Sequence, residues 1–151
     1  IWHKEACDLL EKEFGKECVS ITGKTNTKDR QKIVDKFQND KKIKLFIGQI
    51  FAAGVGLTLT SSKAVVFLEF GASFPQHCQA EDRIHRIGQK ADSVLAYYLI
   101  FSDSIDEDCM SVINERSANI NKVMDNIDSK MFEEDMNKDI MNKYKIRKGV
   151  K

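Results

Sequence analysis

A chain of 151 residues, 42% hydrophobic and 31% charged, has the make-up of one water-soluble globular domain with or without a helical extension. Its 24 Lys+Arg against 23 Asp+Glu leave a net charge of +1, which neither demands nor excludes nucleic acid, since a local basic patch suffices. No apolar run approaches the roughly 18 residues of a membrane span, no signal peptide is expected, and Cys7, Cys18, Cys78 and Cys109 lack zinc spacing and read as free thiols of a reducing compartment.

Opening on Ile1-Trp2 and not on methionine, the chain reads as an excised piece, with Ile1-Trp2 the end of a strand whose beginning is cut away. Ala6, Leu9, Leu10 and Phe14 recur at helical spacing, and Gly15 follows as a stop. Val19-Ser20-Ile21 is a short buried strand. The polar loop Thr22-Gly23-Lys24-Thr25-Asn26-Thr27 hands over to a second helix, with Thr27 as N-cap, Asp29 in its first turn and Ile33, Val34 and Phe37 on its apolar face. Residues 43–47 form a third strand, and a loop of small residues spans 49–56. Residues 65–68 form a fourth, apolar on both faces as a central parallel strand should be. Residues 70–75 lead to another helix, with the only proline just before it, and residues 94–100 form a fifth strand.

Strands alternating with helices predict an α/β fold with a mainly parallel sheet covered on both faces. In such sheets the ligand cleft lies beyond the carboxyl ends of the strands. From Ser104 the pattern changes. Ser104-Ile105-Asp106-Glu107 has the form of a capping box. Ile113, Ile120, Val123, Met124, Ile127 and Met131 then describe a long amphipathic helix broken near Asp128-Ser129, and Phe132, Met136, Ile140, Met141 and Tyr144 a last one. Such methionine stripes are more often core or partner contact than a cofactor site. The expected organisation is a domain over 1–103, a helical extension over 104–144 and a disordered basic tail over 145–151.

Three stretches carry polar chemistry. The first is Gln79-Ala80-Glu81-Asp82-Arg83-Ile84-His85-Arg86-Ile87-Gly88-Gln89. Drawn as a helix, it places Gln79, Asp82, Arg83 and Arg86 on one stripe and Ala80, Ile84 and Ile87 on the next, with Glu81 and His85 on a third. Gly88 falls where a left-handed cap is needed. Two arginines one turn apart suit a polyphosphate, because each planar fork binds oxygens bidentately. The plain alternative is a pair of helix-surface ion pairs, Asp82–Arg86 and Glu81–His85, worth roughly 0.2–0.5 kcal/mol each. The second stretch, Ala52-Ala53-Gly54-Val55-Gly56-Leu57-Thr58, sets two glycines after a strand, where backbone N–H groups can approach a phosphate; it lacks the Lys-Ser/Thr ending of a P-loop. The third is Thr22-Gly23-Lys24-Thr25 with Arg30, equally a polar loop with a cap.

The eleven residues from Gln79 to Gln89 resemble motif VI of the Snf2 family of superfamily 2 ATP-dependent DNA translocases. The glycine loop is similar to the family's motif V, and Thr22-Gly23-Lys24-Thr25 with Arg30 to its Gly-x-Thr segment and downstream arginine. The resemblance covers residues 1–109 and implies a three-layer RecA-like lobe, the second of a two-lobed motor, followed by a helical brace. Gly54-Val55-Gly56-Leu57-Thr58-Leu59-Thr60 and Val66-Phe67-Leu68-Glu69 are worded more like the annealing-helicase, fork-remodelling branch than like nucleosome remodellers. Two departures stand out: Gly71-Ala72-Ser73-Phe74-Pro75 replaces a tryptophan-proline stretch, and Val55 stands where a glycine is common.

The resemblance implies site roles as well. Arg83 and Arg86 are expected to act catalytically as arginine fingers on the γ-phosphate, with Arg86 foremost, and Gln79 to position phosphate or water. Gly54, Gly56, Asp82 and His85 are expected beside the nucleotide, and Thr22, Gly23, Lys24, Arg30 and Thr58 on DNA. No metal site is expected within the chain. ATP with Mg²⁺ would be held mainly by an N-terminal lobe carrying Walker A and Walker B, which have no counterpart here, so the chain alone is expected not to hydrolyse ATP. Expected partners are double-stranded DNA, that N-terminal lobe, and chromatin or replication and repair factors, but no membrane. The expected location is intracellular, and nuclear in a eukaryote. Two alternatives stay open: the lobe of a superfamily 2 RNA helicase, whose motif VI usually ends in further glycine and arginine, and a non-catalytic α/β binding module.

Overall fold

The first helix, α1 (Lys4–Phe14), ends at Gly15, whose φ of +48° is a conformation that favours glycine. A computed structural model describes residues 1–53, 56–69, 74–120 and 129–148 of the chain. The buried residue of α1 is Cys7, whereas Leu9 is 69% exposed, so the packed face is turned away from the leucine stripe read in the sequence. Ahead of the helix, the Glu69 carboxylate accepts hydrogen bonds from the Trp2 and His3 amides (2.7 and 2.9 Å) and pairs with the His3 ring. Burial works against the Glu69 charge, but these bonds outweigh it and hold its pKa below the usual range.

Next in order come β1 (Cys18–Ile21), α2 (Thr27–Asn39), β2 (Leu45–Gly48), a single helical turn α3 (Ile50–Ala53), β3 (Ala64–Phe67), α4 (Phe74–Glu81) and β4 (Leu95–Tyr98). The cap of α2 is Asn26, not Thr27. Asn26 is the extended residue, and its side chain accepts from Lys28 N at 3.2 Å, while Thr27 is already helical. β1 pairs parallel with β2, from Cys18 opposite Leu45 to Ile21 opposite Gly48, and β3 pairs parallel with β4, from Ala64 opposite Leu95 to Phe67 opposite Tyr98. Ile1–Glu69 and Gln76–Tyr98 make up one compact unit, and the chain from Leu99 onward belongs to a second.

The parallel α/β architecture agrees with the sequence pattern, but the burial of β3 does not. Val66 is 52% exposed beside Leu95 at 54% and Tyr97 at 51%, so one face of the β3–β4 pair is open among the described residues. The core gathers instead on Ile21, Val34, Ala52, Leu57, Leu59 and Ile84, with Phe37, Phe46, Val65 and Val94 packed against it. His77 is buried on the other side of β3, its ring 4.9 Å from Phe67 and 5.9 Å from Tyr98, while Tyr98 stacks on Phe67 and donates its hydroxyl to Glu81.

The helix expected to run to Gly88 stops at Glu81. Arg83 N and Ile84 N bond three residues back, to Ala80 O and Glu81 O, and the chain continues as turns. Beyond that point the carbonyls a longer helix would use are engaged from outside it: Leu59 N takes the Arg83 carbonyl at 2.8 Å, and the Gln89 side chain takes that of Ile84 at 3.0 Å. Ile84 is therefore buried while Ile87 is fully exposed, which parts the two isoleucines placed on one stripe above. Gly88 does adopt a positive φ, +100°.

In the second unit, α5 (Ile105–Ile120) starts at Ser104, whose Oγ accepts from Asp106 N at 3.1 Å. The reciprocal arm of the capping box is absent here. Asp106 reaches back to Phe101 N at 3.2 Å, and Glu107 turns toward Arg147 at 4.0 Å. Helix α6 (Ser129–Lys148) takes in residues 145–148, which were expected in a disordered tail. Arg147 orders them by clasping the buried carboxylate of Asp108 through Nε and Nη2 at 2.9–3.2 Å, and Lys148 pairs with Asp103 at 2.9 Å. The expected helix break at Asp128, with Val123, Met124 and Ile127, lies outside the described residues, as do Gly54, Val55, residues 70–73 and residues 149–151.

Ile84→Ala should cost about 2–5 kcal/mol of unfolding free energy in urea titration, the usual range for a buried isoleucine, whereas Ile87→Ala should leave the midpoint in place. A second expectation concerns pH. Burial lowers the His77 pKa from 6.5 to about 4, so the unfolded chain binds this proton first. Stability from this group is complete above pH 6.5 and lost as pH falls toward 4. His77→Phe should flatten that part of the stability profile, measured as urea midpoints between pH 7 and pH 4.5.

Candidate nucleotide and nucleic-acid interface

The stretch from Gly56 to Thr60 passes directly beneath the two-arginine segment. Gly56 has a φ of +72°, and a Cβ built on it would meet no atom within 4 Å. The need for glycine there is conformational and not a matter of space. Leu57 and Leu59 point into the core, which leaves Thr58 between them facing outward. Arg86 Nη1 donates to Thr58 Oγ1 at 3.3 Å and to Leu57 O at 3.4 Å. Together with the bond from Leu59 N to Arg83 O, this fixes the glycine loop to the arginine segment at two successive points.

The plain alternative drawn from the sequence paired Arg86 with Asp82 and Glu81 with His85 on a helix surface. Neither side-chain pair forms: Arg86 is held by the loop, and Glu81 by Tyr98. Gln79, Asp82, His85 and Arg86 are exposed, and Arg83 is half-buried. Burial lowers the Arg83 pKa, the neighbouring Arg86 charge lowers it further, and Asp82 offsets part of this. Two cationic forks thus sit close enough to repel each other, an arrangement that a bound anion relieves.

Gln38, near the end of α2, was not singled out from the sequence. Its Nε2 donates to Thr58 O at 2.8 Å and to Thr60 Oγ1 at 3.4 Å, and its Oε1 accepts from Ser61 N at 2.8 Å. The one signal available was a glutamine beside Phe37 in the last turn of an amphipathic helix.

The Thr22–Thr25 turn is closed by Thr25 N donating to Thr22 O and by Thr22 N donating to Thr25 Oγ1, both at 3.0 Å. Gly23 N donates to Gln49 Oε1 at 3.0 Å. Arg30 Nη1 donates to Ala52 O at 2.8 Å and its Nε to Thr25 O at 3.4 Å, so this arginine braces the turn against α3 just ahead of Gly54. Thr22 is buried, and Gly23 and Lys24 are the exposed members of the turn. Among the described residues, no group of three or more His, Cys, Asp or Glu could hold a metal ion.

Comparison with known proteins gives the family. Residues 2–88 match the family described as helicase conserved C-terminal domain. A Caenorhabditis elegans protein, a homolog of SWI/SNF-related matrix-associated actin-dependent regulator of chromatin subfamily A-like protein 1, is 38% identical over 117 residues, 76% of this chain and 17% of its own length. The mouse DNA annealing helicase and endonuclease ZRANB3 is 37% identical over 114 residues, 75% of this chain and 10% of its own length. The crystal structure of the C-terminal part of the Fun30 ATPase domain superposes with a TM-score of 0.64 at 31% identity, covering 71% of this chain and 34% of that one. The chain spans less than a fifth of these two curated relatives. With a family match running from Trp2 through Gly88, and relatives that include an annealing helicase, the chain belongs to the helicase conserved C-terminal domain family, in its Snf2-type, RecA-like form.

Proposed function

We propose that this chain is the C-terminal motor lobe of an Snf2-type, DNA-dependent ATPase that translocates on double-stranded DNA in chromatin or fork remodelling and repair. The observation that carries the reading is the bond from Arg86 to Thr58 and Leu57, which ties a residue suited to phosphate to a loop suited to a nucleic-acid backbone. ATP is the substrate, held with Mg²⁺ on a facing lobe, and it presents the anionic oxygens for which arginine forks are built. The donor set fits: Arg86 is exposed, its two hydrogen bonds use one nitrogen, and the rest of its fork is directed to no described residue.

In this reading Arg86 is the principal finger, Arg83 adds charge beside it, and Gln79 orients phosphate or water. Asp82 and His85 border the nucleotide. Gly56 borders it as well, and Thr58 faces the DNA backbone, joined by Gly23, Lys24 and the Thr22 turn that Arg30 braces. Movement of the DNA-facing loop shifts the atoms that hold Arg86, which couples strand contact to hydrolysis.

The intact protein should hydrolyse ATP faster with duplex DNA than without it, and this chain alone should show no turnover. An intact protein indifferent to nucleic acid would overturn the motor reading. Arg86→Ala in the intact protein should lower turnover on the order of 10³-fold with nucleotide binding retained, measured by fluorescent-nucleotide titration beside steady-state kinetics. Thr58→Val, which keeps the shape and removes the acceptor, should reduce the DNA stimulation more than the DNA-free rate.

A further inference from the structure

Residues 57–62 form neither helix nor strand, so their backbone groups are met from outside, by two flanking segments. From the arginine segment, Arg83 O accepts from Leu59 N at 2.8 Å, and Gln89 Nε2 donates to Ser62 O at 2.8 Å. From the end of α2, Gln38 makes three bonds. Its Nε2 donates to Thr58 O at 2.8 Å and to Thr60 Oγ1 at 3.4 Å, and its Oε1 accepts from Ser61 N at 2.8 Å. Ser61 Oγ adds a long bond to the neighbouring Phe37 O at 3.5 Å.

The two sets meet on one peptide unit, the one joining Thr58 to Leu59. Its carbonyl is taken by Gln38 and its N–H by Arg83 O. A peptide unit is planar, so bonds on its two opposite edges fix the orientation of the whole plane. The Thr58 side chain leaves the backbone at the end of that plane, and its branched β-carbon restricts χ1. Thr58 Oγ1 is therefore aimed by the plane behind it, and Oγ1 is the atom that receives Arg86 Nη1 at 3.3 Å. Gln38 engages its amide nitrogen twice and its oxygen once in this arrangement, so both its reach and its polarity are in use.

We propose that Gln38 is a positioning residue for Arg86: by gripping the Thr58–Leu59 peptide it holds Thr58 where the arginine is received, and so aims the guanidinium. Gln38 acts through Thr58 and not on the phosphate itself. The role rests on the motor reading given above, because it serves the arginine assigned there to the γ-phosphate. An arginine fork stabilises developing charge only where its N–H groups meet the oxygens, and a long side chain needs its guanidinium steadied to do so. The alternative is that Gln38 merely staples the loop to α2, in which case its loss and the loss of the Thr58 hydroxyl act independently.

The test is a double-mutant cycle in the intact protein, read as steady-state ATP turnover with saturating duplex DNA. Gln38→Met, which keeps the length and removes the bonds, should lower kcat about tenfold or more. Its KM for ATP should stay within about twofold, since the lost interaction is not one made to the substrate. Gln38→Met combined with Thr58→Val should be no slower than the slower single variant by more than about twofold, because both remove the same support. Retained binding of a fluorescent nucleotide identifies a folded protein. Where Gln38→Met does not fold, the cycle is run with Gln38→Glu, which has the same shape and turns an acceptor toward Thr58 O. Losses that multiply in the double variant would overturn the proposal, as would a raised KM with kcat unchanged. Gln38 variants at full turnover, in a protein that Arg86→Ala disables, would overturn this role alone. Full turnover of Arg86→Ala would overturn the motor reading and this role together.

Discussion

A single backbone hydrogen bond, from Leu59 N to Arg83 O, anchors the shape of the candidate site. By taking a carbonyl that an α-helix would use for its own next turn, it keeps α4 from resuming past Glu81 and ties the segment to the glycine loop. Ile84 is then left in the core and Arg86 over the glycine loop. The bond is held by what surrounds it, because Leu57, Leu59 and Ile84 are buried in one cluster on either side of it. Apolar burial supplies the stability and the hydrogen bond supplies the direction, which fits their ordinary magnitudes.

Much of this was legible in the sequence, and the parts that were not have a common cause. Strand and helix order, the parallel pairing, the glycine stop of α1 and the positive φ at Gly88 all follow from local pattern. The eleven residues ending at Gln89 and the glycine loop before them identified the family before any geometry was known. The misplaced features depend on distant groups. Helical spacing cannot anticipate that Leu59 removes the Arg83 carbonyl, nor that Asp108 lies where Arg147 can order the end of α6. Cys7 displaced Leu9 from the packed face of α1 for the same reason, since periodicity defines a stripe but not which part of it meets the sheet.

The family assignment and the site geometry support each other at different scales. Identity of 37–38% to an annealing helicase and a chromatin regulator homolog, with the family match, gives the family and the fold. It says nothing of how one motif is joined to another. That comes from Arg86, Thr58 and Gln38, three side chains from separate segments meeting at one loop. Gln38 belongs to none of the motifs, yet both ends of its amide are in use, and exchange of its oxygen and nitrogen would turn each bond into a repulsion.

Helix α2 contributes at both of its ends. Arg30, in its first turns, grips Ala52 O, and Gln38, near its close, grips Thr58 O. The two residues lie about 12 Å apart along the helix axis. The carbonyls of Ala52 and Thr58 are thus both moored to one rigid bar, and through Arg30 the same bar also holds the Thr22–Thr25 turn. Three separate segments share a single frame, so a displacement of α2 is felt by all of them at once.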